Sequence, residues 1–280
     1  MTDLTPIFAA LEERLKTTEN PFAVFDFDRT CFWDNDCEEV AQYYLAEQGL
    51  LRDNTLFGKP EPLTPEYHRR AFLHYFELIK EGKIEESYYF TKQFFVGFTY
   101  DELRSITREA IKTQHQDRWE THDLWGRKVR RGLQVHPVVE SLLDYCRERG
   151  IQTNVVSAAV TPCLEVGVEA LLNKKVDQRF GVPIKTDHED KIINEYAEPN
   201  PMFGGKVKVI QHYIHPTQRP ILAVGDSVGD EKMLEYSETK VVIDHQNAVS
   251  RRAEKEGWFL VPNLRPVSSE TGLDLGKESH

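Results

Sequence analysis

Two hydrophobic periods alternate along this chain, and the change of period divides it. Residues 5–17 carry Ile7, Phe8, Leu11 and Leu15 near helical spacing, which predicts an amphipathic helix. Asn20-Pro21 ends it. FAVFDFD at 22–28 is a short apolar run closing on acids, the pattern of a strand buried on both faces of a parallel sheet. From about 34 to 132 strand signals nearly vanish. Helices are predicted over 37–49, stopped near Gly49, and over 64–82, with Thr64-Pro65 at the start and Gly82 at the end. Thr99-x-x-Glu102 is a capping box that opens a third helix, running to about 115.

From 133 onward strands and helices alternate again. His136-Pro137 leads into a helix ending at Gly150, followed by a strand over 151–156 and a helix over 161–173. A helix begins near Gly205-Lys206. PILAVGD at 220–226 is a buried strand, 229–236 a helix and 240–244 a further strand. Such alternation predicts an α/β fold, a doubly wound parallel sheet. The aromatic-rich block 34–132 reads as a helical domain inserted after the first strand. The expected division is therefore a core of 1–33 and 133–280 and an insert of 34–132.

Composition narrows the function classes. Of 280 residues, 40% are hydrophobic and 29% charged, enough for a packed core without staples. The net charge of −11 disfavours nucleic acid or an anionic membrane as a general partner. An anionic substrate would have to be drawn in by a local site. Cys31, Cys37, Cys146 and Cys163 form no C-x-x-C pair and no zinc pattern, which suits a reduced compartment. The first residues are acidic where a leader would be basic. No apolar run reaches the roughly 18 residues a membrane span requires. A cytoplasmic protein is expected.

Four segments carry candidate chemistry, each at the carboxyl end of a strand or the start of a helix, the edge where open α/β sheets bind ligands. Asp26-Phe27-Asp28-Arg29-Thr30 offers two carboxylates, one able to attack phosphorus and one able to move a proton. Gly225-Asp226-Ser227-Val228-Gly229-Asp230 places two acids on a tight loop suited to a hard cation. Ser157 and Ala158 follow an apolar run, where a hydroxyl and free N–H groups suit phosphate oxygens; helix capping by Ser157 is the plainer reading. Lys206 sits at a helix start, which the helix dipole disfavours, so an electrostatic task elsewhere is implied.

The ordered set D-x-D-x-T, Ser, Lys, G-D-x-x-x-D resembles the haloacid dehalogenase superfamily in its phosphoserine-phosphatase-like branch. The likeness covers 20–33 and 133–262, and the helical insert sits where that branch places its cap. The resemblance implies a Mg²⁺-dependent phosphomonoesterase. Asp26 would be the nucleophile and a Mg²⁺ ligand. Asp28 would be the general acid/base, with its carbonyl on the metal. Thr30, Ser157, Ala158 and Lys206 would hold phosphate, Asp226 would ligate the metal, and Asp230 would support it. Arg29 departs from the small residue or Asn of many relatives. It predicts either a cation at the entrance or a salt bridge to Glu38 or Glu39.

The expected partner is a small phosphomonoester such as phosphoserine, phosphocholine or phosphoethanolamine. Trp33, with Asp34 and Asp36, could receive a cationic head group; packing of Trp33 between core and insert is the alternative. Transfer to an alcohol instead of water is a rival enzyme reading, and a non-catalytic phosphate-responsive domain is a rival of another class. Such a receiver-type domain is much shorter and has no need of the inserted block.

Overall fold

In the computed structural model, residues 2–33, 35–115, 118, 120–172 and 175–264 are described. Asp34 and the tail from 265 lie outside them.

A six-stranded parallel sheet forms the centre, in the order β10-β9-β8-β1-β4-β5. The strands are β1 (Phe22–Phe25), β4 (Gln152–Val160), β5 (Gln178–Val182), β8 (Leu222–Gly225), β9 (Thr239–Asp244) and β10 (Phe259–Pro262). The four residues of β1 are all buried, as a strand covered on both faces must be. Its side chains alternate between two cores. Ala23 and Phe25 join Ile7 and Leu11 of α1 (Thr5–Leu15) and Val139 and Leu142 of α6 (Pro137–Glu148). Phe22 and Val24 face Val209 of α8 (Lys206–Val209), Leu234 of α9 (Glu231–Tyr236) and Ala253 of α10 (Ala248–Glu256). Each fully buried Leu or Phe in these layers contributes roughly 1.5–3 kcal/mol.

Between β1 and β4 the chain forms α2 (Cys37–Glu47), α3 (Pro65–Lys80), α4 (Ile84–Lys92) and α5 (Tyr100–Gln114). Thr64 caps α3 by accepting from the Tyr67 N–H, and the Thr99–Glu102 capping box opens α5 with both of its bonds made. The block is not purely helical. An antiparallel hairpin, β2 (Thr121–Leu124) and β3 (Arg127–Arg130), lies within it. Trp125 and Gly126 take positive φ at its two-residue turn, the conformation that matches strand twist. Its strands bury only Leu124 and Val129 and carry His122, Asp123, Arg127 and Lys128, so they lack the alternating apolar text that marks a strand.

A second hairpin, β6 (Ile184–Thr186) and β7 (Ile192–Tyr196), follows β5 and stitches to the helical block. The Gly97 N–H donates to the Ile192 carbonyl at 2.9 Å, and the Ile192 N–H to the Phe98 carbonyl at 2.8 Å. Tyr100 donates to the Ile184 carbonyl. Glu102 accepts from Arg52 at 2.8 and 2.9 Å and from Lys191 at 3.2 Å. Among the described residues no helix is long and apolar enough to cross a membrane.

Candidate active site

Strand register places the motifs side by side. Phe25 pairs with Val224 of β8 and with Val155 of β4. Asp26 is therefore level with Gly225 on one side and Val156 on the other. Asp226 and Ser157 each stand one residue further along, at the carboxyl edge. The Asp26 N–H extends the ladder by donating to the Val224 carbonyl at 2.8 Å.

Side-chain bonds then close the cluster. Thr30 Oγ1 donates to Asp26 Oδ2 at 3.0 Å and lies 3.2 Å from Asp226 Oδ1. Lys206 Nζ bonds Asp26 Oδ1, and Asp230 Oδ1 at 2.6 Å. Asp230 Oδ2 accepts from the Asp226 N–H, the Ser227 N–H and the Ser227 hydroxyl at 3.0–3.1 Å. Two glycines make room. A Cβ on Gly225 would lie 2.6 Å from the Asp230 Cβ, and one on Gly205 would lie 1.8 Å from the Asn200 carbonyl oxygen, just before Lys206.

The other candidates lie around this cluster. Asp28 Oδ1 accepts the Cys37 N–H at 2.7 Å, so it caps α2. Ser157 is buried within β4, and its Oγ accepts the Ala159 N–H at 3.0 Å, a local turn bond that leaves the hydroxyl proton available. The helix that follows, α7, begins only at Thr161 (Thr161–Leu171). Arg29 has φ 59°, and its half-exposed guanidinium reaches His245 Nδ1 at 3.2 Å and Asp226 Oδ2 at 3.9 Å. It does not pair with the two glutamates expected. Glu38 pairs with Lys92, and Glu39 accepts from Tyr43 and Tyr75. Trp33 is 8% exposed, and the Arg130 guanidinium covers its ring at 4.3 Å, which is the packing alternative.

Electrostatically the cluster is short of positive charge. Asp26, Asp226 and Asp230 are buried against Lys206, with the half-exposed Arg29 guanidinium at the Asp226 edge, and their carboxylate oxygens lie within 4.8 Å of one another. Burial, then repulsion from Asp230, raises the Asp26 pKa against the pull of Lys206. Burial and the other two acids push Asp226 well above the usual carboxylate range. Asp28 is also pushed far up, by burial, although the Cys37 N–H pulls it down. Burial alone would lower Lys206, but Asp230 and Asp26 raise it. An all-oxygen donor set with more acids than cations suits a hard divalent cation, so it fits Mg²⁺.

Sequence reading missed two neighbours. Asn247 donates to the Asp226 carbonyl at 2.7 Å, and His245 Nε2 lies 3.0 Å from the Arg29 carbonyl. Both follow β9, whose carboxyl end shares the ligand edge, so the strand-end rule that found Asp226 also points to them.

The family model for haloacid dehalogenase-like hydrolases matches residues 23–235. No curated protein sequence matches the chain. Among solved structures, a conserved functionally unknown protein from Anaerococcus prevotii DSM 20548 is similar, with 17% identity, 91% of each chain covered and a TM-score of 0.67. A protein with unknown function from Bordetella pertussis Tohama I follows at 16% identity, 88% of this chain, 100% of its own and TM-score 0.66. A phospho-aspartyl intermediate analogue of phosphoserine phosphatase reaches 15% identity, 89% and 95% coverage and TM-score 0.51. At these identities the likeness is one of fold.

Proposed function

This chain belongs to the haloacid dehalogenase-like hydrolase family, and we propose that it is a Mg²⁺-dependent phosphomonoesterase acting on a small phosphorylated metabolite. Support comes from one convergence: Asp26, Thr30, Lys206, Asp226 and Asp230, distant in sequence, are joined by hydrogen bonds at one sheet edge. The block 34–132 serves as the cap and 1–33 with 133–280 as the core.

In this reading a carboxylate oxygen of Asp26 attacks phosphorus, the ester P–O bond breaks, and Asp28 gives its proton to the departing alkoxide. Water then attacks the aspartyl phosphate and passes a proton to Asp28. The acyl phosphate bond breaks, releasing inorganic phosphate and the Asp26 carboxylate. The raised pKa of Asp28 keeps a proton on it for the first step. Lys206 holds Asp26 in place and offsets phosphate charge. Thr30 orients Asp26 from the other oxygen, while Ser157 and the Ala158 N–H hold phosphate oxygens. Mg²⁺, held by Asp26, the Asp28 carbonyl and Asp226 with support from Asp230, would supply compensation for phosphoryl charge.

Hydrolysis of p-nitrophenyl phosphate with Mg²⁺ tests the reading. Asp26→Asn is expected to lose roughly three or more powers of ten in turnover. Undiminished turnover in that variant removes Asp26 as nucleophile.

A further inference from the structure

The segment that follows β9 grips the Asp26–Thr30 loop from outside, and one histidine makes the grip. Asp28 and Thr30 flank Arg29, which sits at φ 59°. A side chain at left-handed φ costs backbone energy that glycine escapes, so another residue stays there only when its surroundings hold it. Arg29 is held on both sides. Its N–H donates to the Asn35 carbonyl at 3.2 Å, and its carbonyl lies 3.0 Å from His245 Nε2.

The partners decide the state of the imidazole. A backbone carbonyl can only accept, so Nε2 carries the proton. A guanidinium can only donate, so Nδ1, at 3.2 Å from Arg29 Nη2, offers its lone pair. Asn263 Nδ2 stands 3.3 Å from the same nitrogen. Asp226 Oδ2 is 3.8 Å from Nε2, too far to compete with the carbonyl for its proton. His245 therefore spans one residue, with Nε2 on the Arg29 backbone and Nδ1 on the Arg29 side chain.

The grip has a firm base. The His245 side chain is 5% exposed, and it leaves the end of β9, a strand paired on both edges. The Gln246 N–H donates to Asp244 Oδ1 at 2.8 Å. Asn247 caps α10 by accepting the Ser250 N–H at 3.1 Å, and it donates to the Asp226 carbonyl at 2.7 Å. Residues 245–247 thus touch both acid-bearing loops and set one against the other.

We infer that His245 is a positioning residue: as the Nε2–H tautomer it locks Arg29 in its left-handed conformation and so sets Asp28 and Thr30 against Asp26. The inference rests on the phosphatase reading above and adds to it a residue outside the reacting cluster.

Two amides separate the two contacts. Glutamine can bring its side-chain nitrogen to the place of the imidazole Nε2 and keep the bond to the Arg29 carbonyl. Asparagine reaches only to the place of Nδ1. On p-nitrophenyl phosphate with Mg²⁺, His245→Asn and His245→Ala should lose about tenfold or more in kcat. Their KM should stay within about threefold, because Lys206 and Ser157 keep their places. His245→Gln should hold kcat within about threefold of wild type. A plain packing role would cost the two amides alike, so equal losses in both, or none in His245→Asn, overturn the assignment. A second readout needs no turnover. Imidazole nitrogen NMR of the wild type, with His245 identified by its absence from the His245→Gln spectrum, should show a proton on Nε2 protected from exchange and none on Nδ1. A proton on Nδ1 overturns the assignment even where a variant folds poorly. A wild type with the expected spectrum but no turnover sinks the phosphatase reading and the catalytic use of the grip, while the bond itself stands.

Discussion

Replacing Gly225 by Ala tests how tightly the cluster is built. The new Cβ would lie 2.6 Å from the Asp230 Cβ, 2.8 Å from its Cγ and 3.0 Å from Oδ2. Ordinary carbon–carbon contact needs about 3.5–4.0 Å, so the Asp230 side chain or the loop must move by roughly 1 Å. No flexible side-chain end is available to give way. Asp230 Oδ2 is held by the Asp226 N–H, the Ser227 N–H and the Ser227 hydroxyl, and Oδ1 by Lys206. Overpacking of this kind costs about 1–3 kcal/mol of stability. A shift of about 1 Å in a catalytic constellation costs on the order of 10²-fold in rate. The assay is kcat on p-nitrophenyl phosphate with Mg²⁺, beside urea unfolding. Gly229→Ala, in the same loop, is the control, since its Cβ would meet only the Ser227 Oγ at 3.4 Å. The larger loss must fall on Gly225→Ala. Equal turnover in the two variants, with stability within about 0.5 kcal/mol, would refute the steric account.

Two further outcomes follow from buried charge. Lys92 and Glu38 are 3% and 4% exposed and bonded to each other, and Glu38 also accepts the Val160 N–H at 2.8 Å. Lys92→Met should therefore destabilise by about 3–5 kcal/mol in urea unfolding, and adding Glu38→Gln should recover part of it; a cost below about 1 kcal/mol contradicts the pairing. His136 is fully buried with no hydrogen-bond partner on either ring nitrogen among the described residues, and burial lowers its pKa to about 4. Its folded value lies below the unfolded one near 6.5, so the unfolded chain takes the proton first as pH falls. Its contribution is complete above about pH 6.5 and declines toward pH 4, by at most about 3 kcal/mol. His136→Leu should flatten that stretch of the stability profile relative to wild type, and an unchanged slope removes His136 as its source.

The parts of this molecule legible in sequence are those where local text and global position agree. β1 and β8 are unbroken apolar runs ending in acids, so the sheet edge and its acids could be read together. Thr64 and Thr99 announced their helices through capping chemistry alone. Other features needed the third dimension. The β2–β3 hairpin is short and charged, with one buried residue per strand, so no hydrophobic period marks it. β4 runs on to Val160 because Val160 pairs with Val182 after a register shift, a long-range pairing that the Ser157-Ala158-Ala159 text does not show. Lys92 and Glu38 look like solvated helix charges until α4 and α2 meet. Trp33 could face solvent or an arginine ninety-seven positions later with equal local plausibility, and only packing chose Arg130.

The backbone rungs between Ile192 and Gly97–Phe98 give the helical block a third tether, beyond its two covalent links to the sheet. A block held by two covalent links alone can swing as one piece; one also stitched through backbone bonds must either break those rungs or bend within itself. The same stitching ties the β6–β7 hairpin to the helical block, although sequence assigns it to the core. A chimera that exchanges 34–132 with a relative should carry residues 184–196 along, because the incoming block would otherwise face a margin with unmatched donors and acceptors.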